Sequence, residues 1–293
     1  MTLKIGTESV RDLKIGNQLV DIVKIGTEIA YRRTIEPALY VLHGNSLVVV
    51  NPTSREHTVV GAIRQANGDR IEVHRLEWHR GQLYSISLNR DALYKIDRTL
   101  TTITLSQGRD KIDVLVATGL GPSWRPTEDT PLDIASDGTN MYMVGFDSAV
   151  LNRVDISTGA ITALGSRGFG VGELIPIGLA YDGTTMFMAG ATHGLLYTVN
   201  TTTGAARRVG RTAFGLATAG DTGPFYQAIR FLGWDGQNLV AIISVHDRPL
   251  SAVYNDVFTI DRTTGIATAG YNLTAERIVL AGTFEGLTYF AGR

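Results

Sequence analysis

Asp133-Ile134-Ala135-Ser136-Asp137-Gly138-Thr139-Asn140-Met141-Tyr142-Met143-Val144-Gly145 decides the fold. An apolar stretch runs into Asp-Gly, and an alternating apolar stretch runs out of it. Asp-Gly between two such stretches is a strong short-range hairpin signal. The same phrase returns as Gly178-Leu179-Ala180-Tyr181-Asp182-Gly183-Thr184-Thr185-Met186-Phe187-Met188-Ala189-Gly190, and again as Leu232-Gly233-Trp234-Asp235-Gly236-Gln237-Asn238-Leu239. Each copy is followed by a third apolar stretch closing on Asp or Asn (Val154-Asp155, Val199-Asn200, Ile260-Asp261). A Thr-Gly turn then leads to a fourth stretch, at Thr158-Gly159, Thr203-Gly204 and Thr264-Gly265. One unit is therefore four short strands.

Two weaker copies precede these. Leu76-Glu77-Trp78-His79-Arg80-Gly81-Gln82-Leu83-Tyr84 leads to Ile96-Asp97, and Ala38-Leu39-Tyr40-Val41-Leu42 leads to Val50-Asn51. The third-strand markers Asn51, Asp97, Asp155, Asn200 and Asp261 stand 46, 58, 45 and 61 residues apart. Four-stranded units at such a period predict an all-β chain with a β-propeller. The C-terminal stretch from Ile278 to Gly292 matches only the first half of a unit. If it completes the first copy, the propeller has five blades and no open edge. It has six if the wide steps conceal a degenerate unit around Ile112 to Ala117.

A second repeat occupies the start of the chain. Leu3-Lys4-Ile5-Gly6-Thr7-Glu8, Leu13-Lys14-Ile15-Gly16-Asn17-Gln18 and Val23-Lys24-Ile25-Gly26-Thr27-Glu28 recur with a period of ten. Alternation before a Gly-containing pair predicts a minute strand entering a hairpin. Three such hairpins bury too little surface to fold alone, so the segment is expected to pack on another chain. The connector Tyr31 to Pro37 sets a boundary, with residues 1–33 an attachment module and residues 34–293 the propeller. Lys4, Lys14 and Lys24 recur in register, either as a solvated face or as a docking face for an acidic partner.

Composition excludes several classes. The 293 residues are 44% hydrophobic and 19% charged, with a net charge of −1. That balance gives no nucleic-acid footprint. There is no cysteine, hence no disulfide, thiolate metal site or cysteine nucleophile. No apolar run approaches the roughly 20 residues that span a bilayer, and no secretion signal is expected.

Chemistry-bearing motifs are sparse. The Asp-Gly turns lack the further alternating ligands of a calcium loop, so they read as hairpin turns. Gly168-Phe169-Gly170-Val171-Gly172 lies between strands, not between strand and helix, and reads as a flexible loop between blades. The six histidines (His43, His57, His74, His79, His193, His246) show no ligand spacing. His74 and His79 flank one strand and meet other histidines only if blades converge at an axis. No cofactor or metal is expected. Trp78, Tyr181, Trp234 and Phe284 occupy one repeat position before the turn and read as packing residues. Trp124-Arg125, in a Pro-flanked loop, suits sugar stacking or a protein contact if exposed, and equally a loop anchor tucked against the ring. Glu77, Asp133, Glu173 and Asp247 are carboxylates from different units, and no spacing selects them as a site.

The N-terminal phrase, apolar-Lys-apolar-Gly with a small polar residue, closing near Ala30-Tyr31, resembles the short N-terminal modules of tailed-bacteriophage tail, fibre and baseplate proteins. The resemblance covers residues 1–33. It implies a non-enzymatic virion protein of the tail, assembled in the host cytoplasm as part of a homo-oligomeric assembly. Lys4, Ile5, Gly6, Lys14, Ile15, Gly16, Lys24, Ile25 and Gly26 would dock to other virion proteins. The propeller would bind a host-surface glycan or another virion subunit, with neither nucleic acid nor membrane insertion. The alternatives are a head-decoration protein and a glycan hydrolase or lyase.

Overall fold

A computed structural model describes residues 38–43, 45–50, 57–87, 92–104, 111–119, 131–145, 148–171, 176–190, 195–210, 225–247, 252–272 and 284–290, and six short N-terminal strands. The chain divides into two compact units, Met1–Ala38 with Ala291–Arg293, and Leu39–Phe290. The connector expected at the boundary lies largely outside the described residues.

The first unit holds three separate antiparallel pairs: β1 (Lys4–Ile5) with β2 (Glu8–Ser9), β3 (Lys14–Ile15) with β4 (Gln18–Leu19), and β5 (Ile22–Ile25) with β6 (Glu28–Arg32). The register repeats with the sequence. Ile5 faces Glu8, Ile15 faces Gln18, and Ile25 faces Glu28. Two residues separate each pair of strands, and each time the first of them is Gly.

The second unit is a ring of blades. It begins with β7 (Ala38–His43), β8 (Ser46–Val50) and β9 (His57–Gln65). The second blade is β10 (His74–His79), β11 (Gln82–Ser87), β12 (Ala92–Thr104) and β13 (Lys111–Gly119). The third is β14 (Pro131–Ser136), β15 (Met141–Gly145), β16 (Leu151–Val154) and β17 (Ile161–Leu164). The fourth is β18 (Pro176–Tyr181), β19 (Met186–Gly190), β20 (Leu195–Val199) and β21 (Ala206–Val209). The fifth is β22 (Phe225–Trp234), β23 (Leu239–Asp247), β24 (Ala252–Ile260) and β25 (Ala267–Asn272). Last comes β26 (Phe284–Phe290), which lies beside β7 and completes the first blade.

The first strands of the blades touch in a cycle: β10 with β14, β14 with β18, β18 with β22, β22 with β26, and β26 with β10. That closed cycle makes the described unit a five-bladed propeller. Ile112 to Ala117 lie in β13, the outer strand of the second blade, so the sixth unit expected there is not a blade. The wide marker steps arise from the 13-residue β12 and from the nine- and ten-residue strands of the fifth blade. Phe284, expected before a turn, opens β26 instead.

The first two blades are joined at their outer edges. β13 pairs with β9 in parallel, Val114 opposite Ala62 and Ala117 opposite Gln65, giving an eight-stranded sheet. Most outer strands present an unpaired edge that invites foreign pairing. Here two edges cover each other.

The turns follow from side-chain chemistry. The Asp137 carboxylate accepts from the N–H groups of Thr139 (2.7 Å) and Asn140 (2.6 Å). Asp182 and Asp235 repeat this with Thr184 and Thr185, and with Gln237 and Asn238. These are Asx turns, in which the carboxylate satisfies N–H groups that the strands leave over. Asp155, Asn200 and Asp261 do the same between the third and fourth strands. The acidic residues that invited a calcium reading are thus turn acceptors. The second blade departs from the pattern: Arg80-Gly81 alone joins His79 to Gln82, with φ of 49° and 78°, the all-positive geometry of a two-residue hairpin.

Alternation along the second strands builds the cores between blades. Met141 and Met143 pack with Tyr84, Ile86 and Leu93 of the second blade. Tyr142 and Val144 pack with Leu179, Met186 and Met188 of the fourth. Phe187 and Ala189 point the other way, onto Leu232, Leu239 and Ile260 of the fifth. Every residue of β15 and of β19 is buried, because each strand is covered on both faces. Each such large side chain contributes about 1.5–3 kcal/mol of transfer free energy.

Candidate functional site

On the inner strands of the second, third and fourth blades, one equivalent position meets the next blade each time. In the second blade it is Arg75, whose Nε donates to the Leu132 carbonyl of β14 at 2.9 Å. In the third it is Asp133, whose Oδ2 accepts from the Leu179 N–H of β18 at 2.7 Å. In the fourth it is Gly178, where a Cβ would fall 2.7 Å from the Leu232 nitrogen of β22. Cation, anion and bare backbone thus occupy equivalent places, each matched to what the neighbour offers.

Asp133 is the electrostatic centre of this row. Its side chain is 1% exposed. Oδ1 accepts from the Ile134 N–H at 2.9 Å and lies 3.6 Å from Arg75 Nε. Burial pushes its carboxyl up to about 7, against the opposing pull of Arg75 and of the Leu179 and Ile134 N–H groups. Arg75 sits at a break in the β10–β11 register with φ of 58°. The bulge aims the guanidinium across the blade interface, a use bulges commonly serve.

Glu77 also serves a neighbour: Oε1 accepts from the Ser136 N–H at 3.0 Å. His79 Nδ1 lies 2.7 Å from Ser136 Oγ, and that hydroxyl accepts from the Gly138 N–H. Burial lowers the His79 pKa, with Arg80 adding to the effect and Asp137 opposing it. His74 and His79 stand at opposite ends of β10 and do not converge. Among the described residues no three of His, Cys, Asp and Glu form a metal-binding group.

Of the four carboxylates named from sequence, the two whose side chains the structure describes, Glu77 and Asp133, serve different neighbours. Glu77 serves the turn end of β14, while Asp133 serves β18. Asp247 ends β23, and Glu173 lies outside the described residues. Glu77 and Asp133 each accept a backbone N–H of the next blade, from Ser136 and Leu179.

Trp78 and Trp234 behave as packing residues, each with an arginine over its ring. Arg98 stands 4.7 Å from the Trp78 ring centre, and Tyr40 meets the same ring edge-on at 5.2 Å. Arg262 stands 5.2 Å from that of Trp234. The Gly168 to Gly170 run is no flexible loop. Phe169 is 1% exposed and packs in the core between the third and fourth blades. Gly168 N–H donates to the Ala149 carbonyl at 2.9 Å. Glycines on both sides let this turn take positive φ and drive Phe169 inward.

Of the residues expected to dock, Lys4, Ile5, Lys14, Ile15, Lys24 and Ile25 lie in the first strand of each small pair. Gly6, Gly16 and Gly26 lie outside the described residues, as do Trp124 and Arg125. The recurring inner-strand position is hidden in the sequence because Arg, Asp and Gly share no residue type. Its signal is positional: each stands immediately before the apolar residue that opens the repeat, Leu76, Ile134 or Leu179.

No family model matches the chain. No curated protein matches it either. Among solved structures, a chain in the crystal structure of a nidogen/laminin complex aligns at a TM-score of 0.48 and 10% identity, over 87% of this chain and 99% of that one.

Proposed function

We propose that this protein is a structural component of a tailed-bacteriophage virion, in the tail or baseplate region. Its N-terminal repeat docks to neighbouring virion subunits, and its propeller presents a binding surface to a host glycan or to another virion protein. The observation that carries this reading is the repeated register of three two-stranded hairpins, each entering its turn from Lys-Ile. Each pair forms its own small sheet, and an isolated two-stranded hairpin is marginal in water. A segment so built gains stability from a partner surface, and a ten-residue period suits a partner that repeats as well.

The propeller's polar inner residues support action by binding. Arg75, Glu77 and Asp133 serve the joints between blades, which favours a rigid platform over a reacting centre. The protein would assemble in the host cytoplasm as one copy among several.

Immunogold electron microscopy of virions, with antibody raised against the propeller, tests the reading. Label is expected at the tail end. Label over the head would make the protein a decoration subunit. Absence from the virion would overturn the proposal and favour a glycan hydrolase or lyase.

A further inference from the structure

A pocket of about 460 Å³ lies where the turn after β7, strand β9 and the chain leading into β10 meet. Ile63 and Ile71 form its apolar floor, at 0% and 2% exposure. Asn45 is spent on structure: its amide donates to the carbonyls of Ile63 and Ile71, and its oxygen accepts from the Val73 N–H. The remaining polar lining is Arg64, Arg70 and Glu72.

The two arginines are directly opposed across an antiparallel bridge, which sets their side chains on one face. Like charges so placed repel each other. The Arg64 guanidinium is pinned by Nη1, which donates to the Gly68 carbonyl at 2.9 Å. Its Nε is buried and has no hydrogen-bond partner among the described residues. A buried donor left unsatisfied costs about 1–3 kcal/mol, and more on a charged group. An anion between the arginines relieves their mutual repulsion, and a planar carboxylate fits guanidinium geometry best.

We infer that this pocket binds the carboxylate of an acidic saccharide, a uronate or sialate unit. Glu72 decides between sugar and peptide. It is an exposed acceptor on the same lining, two residues from Arg70. It repels an acidic side chain that has no donor beside its carboxylate, whereas a sugar carboxylate brings flanking hydroxyls from which it accepts. The volume falls in the range of roughly 300–1,000 Å³ typical of small-ligand sites. The inference rests on the attachment reading for its biological sense, but its test is independent of where the protein sits in a virion.

The test is calorimetric titration of the full chain with oligogalacturonate, oligoglucuronate and sialyllactose. At least one should bind, its methyl ester should not, and added salt should weaken the interaction. Arg70 is exposed, so R70Q should retain the fold and bind about tenfold or more weakly, as loss of a charged hydrogen bond implies. Polyglutamate, with carboxylates but no hydroxyls, should bind more weakly than the sugar, and E72A should narrow that gap. No binding by any of the three sugars, equal binding of the ester, or unchanged affinity in R70Q overturns the inference. Polyglutamate binding as well as the sugar overturns it in favour of an acidic protein. Tail label in virions alongside failure here would remove the pocket and leave the attachment reading standing.

Discussion

The Asp133 carboxylate and the Leu179 backbone N–H meet at 2.7 Å across the joint between the third and fourth blades. The bond is fully buried, and the carboxyl that makes it has its pKa raised from 3.8 to about 7. Folding therefore favours the protonated form. Because the folded pKa lies above the unfolded one, the stability tied to that proton is complete below pH 4 and is lost as pH rises to about 7. A tenfold change in proton affinity is worth about 1.4 kcal/mol, so a few kcal/mol is the upper limit. D133N should remove this dependence. Denaturant unfolding of both proteins between pH 4 and 8 checks it: the wild-type advantage over D133N should shrink as pH rises, and a constant difference would show that Asp133 does not titrate there.

Gly178 stands against the next joint. A Cβ there would lie 2.7 Å from the Leu232 nitrogen and 2.9 Å from its Cβ, and backbone cannot rotate away. G178A should cost about 1–3 kcal/mol, the usual range for overpacking. Its thermal midpoint against that of wild type is the measure. A cost under about 0.5 kcal/mol, the scatter of an ordinary surface change, would mean that the two strands separate freely.

Arg262, at the surface, meets Asp182, whose side chain is 3% exposed, at 2.5 Å and so joins the fourth and fifth blades. The contact is short, but the Arg262 side chain is 47% exposed and its charge is screened. R262A, which also removes the guanidinium from the Trp234 ring, should cost no more than about 1 kcal/mol. A double-mutant cycle with D182N isolates the pair. A coupling well above that figure would mark the clasp as structural.

Removal of residues 1–33 should leave β7 onward folded. Circular dichroism should keep its β signature, with one cooperative thermal transition, while incorporation into virions is lost. Aggregation or a non-cooperative melt of the truncated protein would contradict the two-part organisation.

The third, fourth and fifth blades are legible in sequence because their turns are chemically fixed. Asp137, Asp182 and Asp235 cap one hairpin, and Asp155, Asn200 and Asp261 the other. The junction of the first two blades is not legible. The parallel pairing of Val114 with Ala62 joins residues far apart in sequence and needs no turn residue at all. Nor is Asp133 distinguishable from Glu77 or Asp247, since nothing local reports which carboxylate will be buried. Phe169 escapes for a related reason: its flanking glycines signal positive φ, but not the direction in which the turn throws its side chain.

The partnership of β7 with β26 also has a timetable. In synthesis β7 emerges first among the propeller strands and β26 last, about 250 residues later. At ordinary translation speeds that interval is roughly 12–50 s, far longer than a hairpin needs to form. The nascent chain therefore carries an incomplete first blade for most of its making, with the β7 edge open to any strand that arrives before its own. Slow translation or a crowded polysome lengthens that exposure, and a chaperone that shields the edge shortens it.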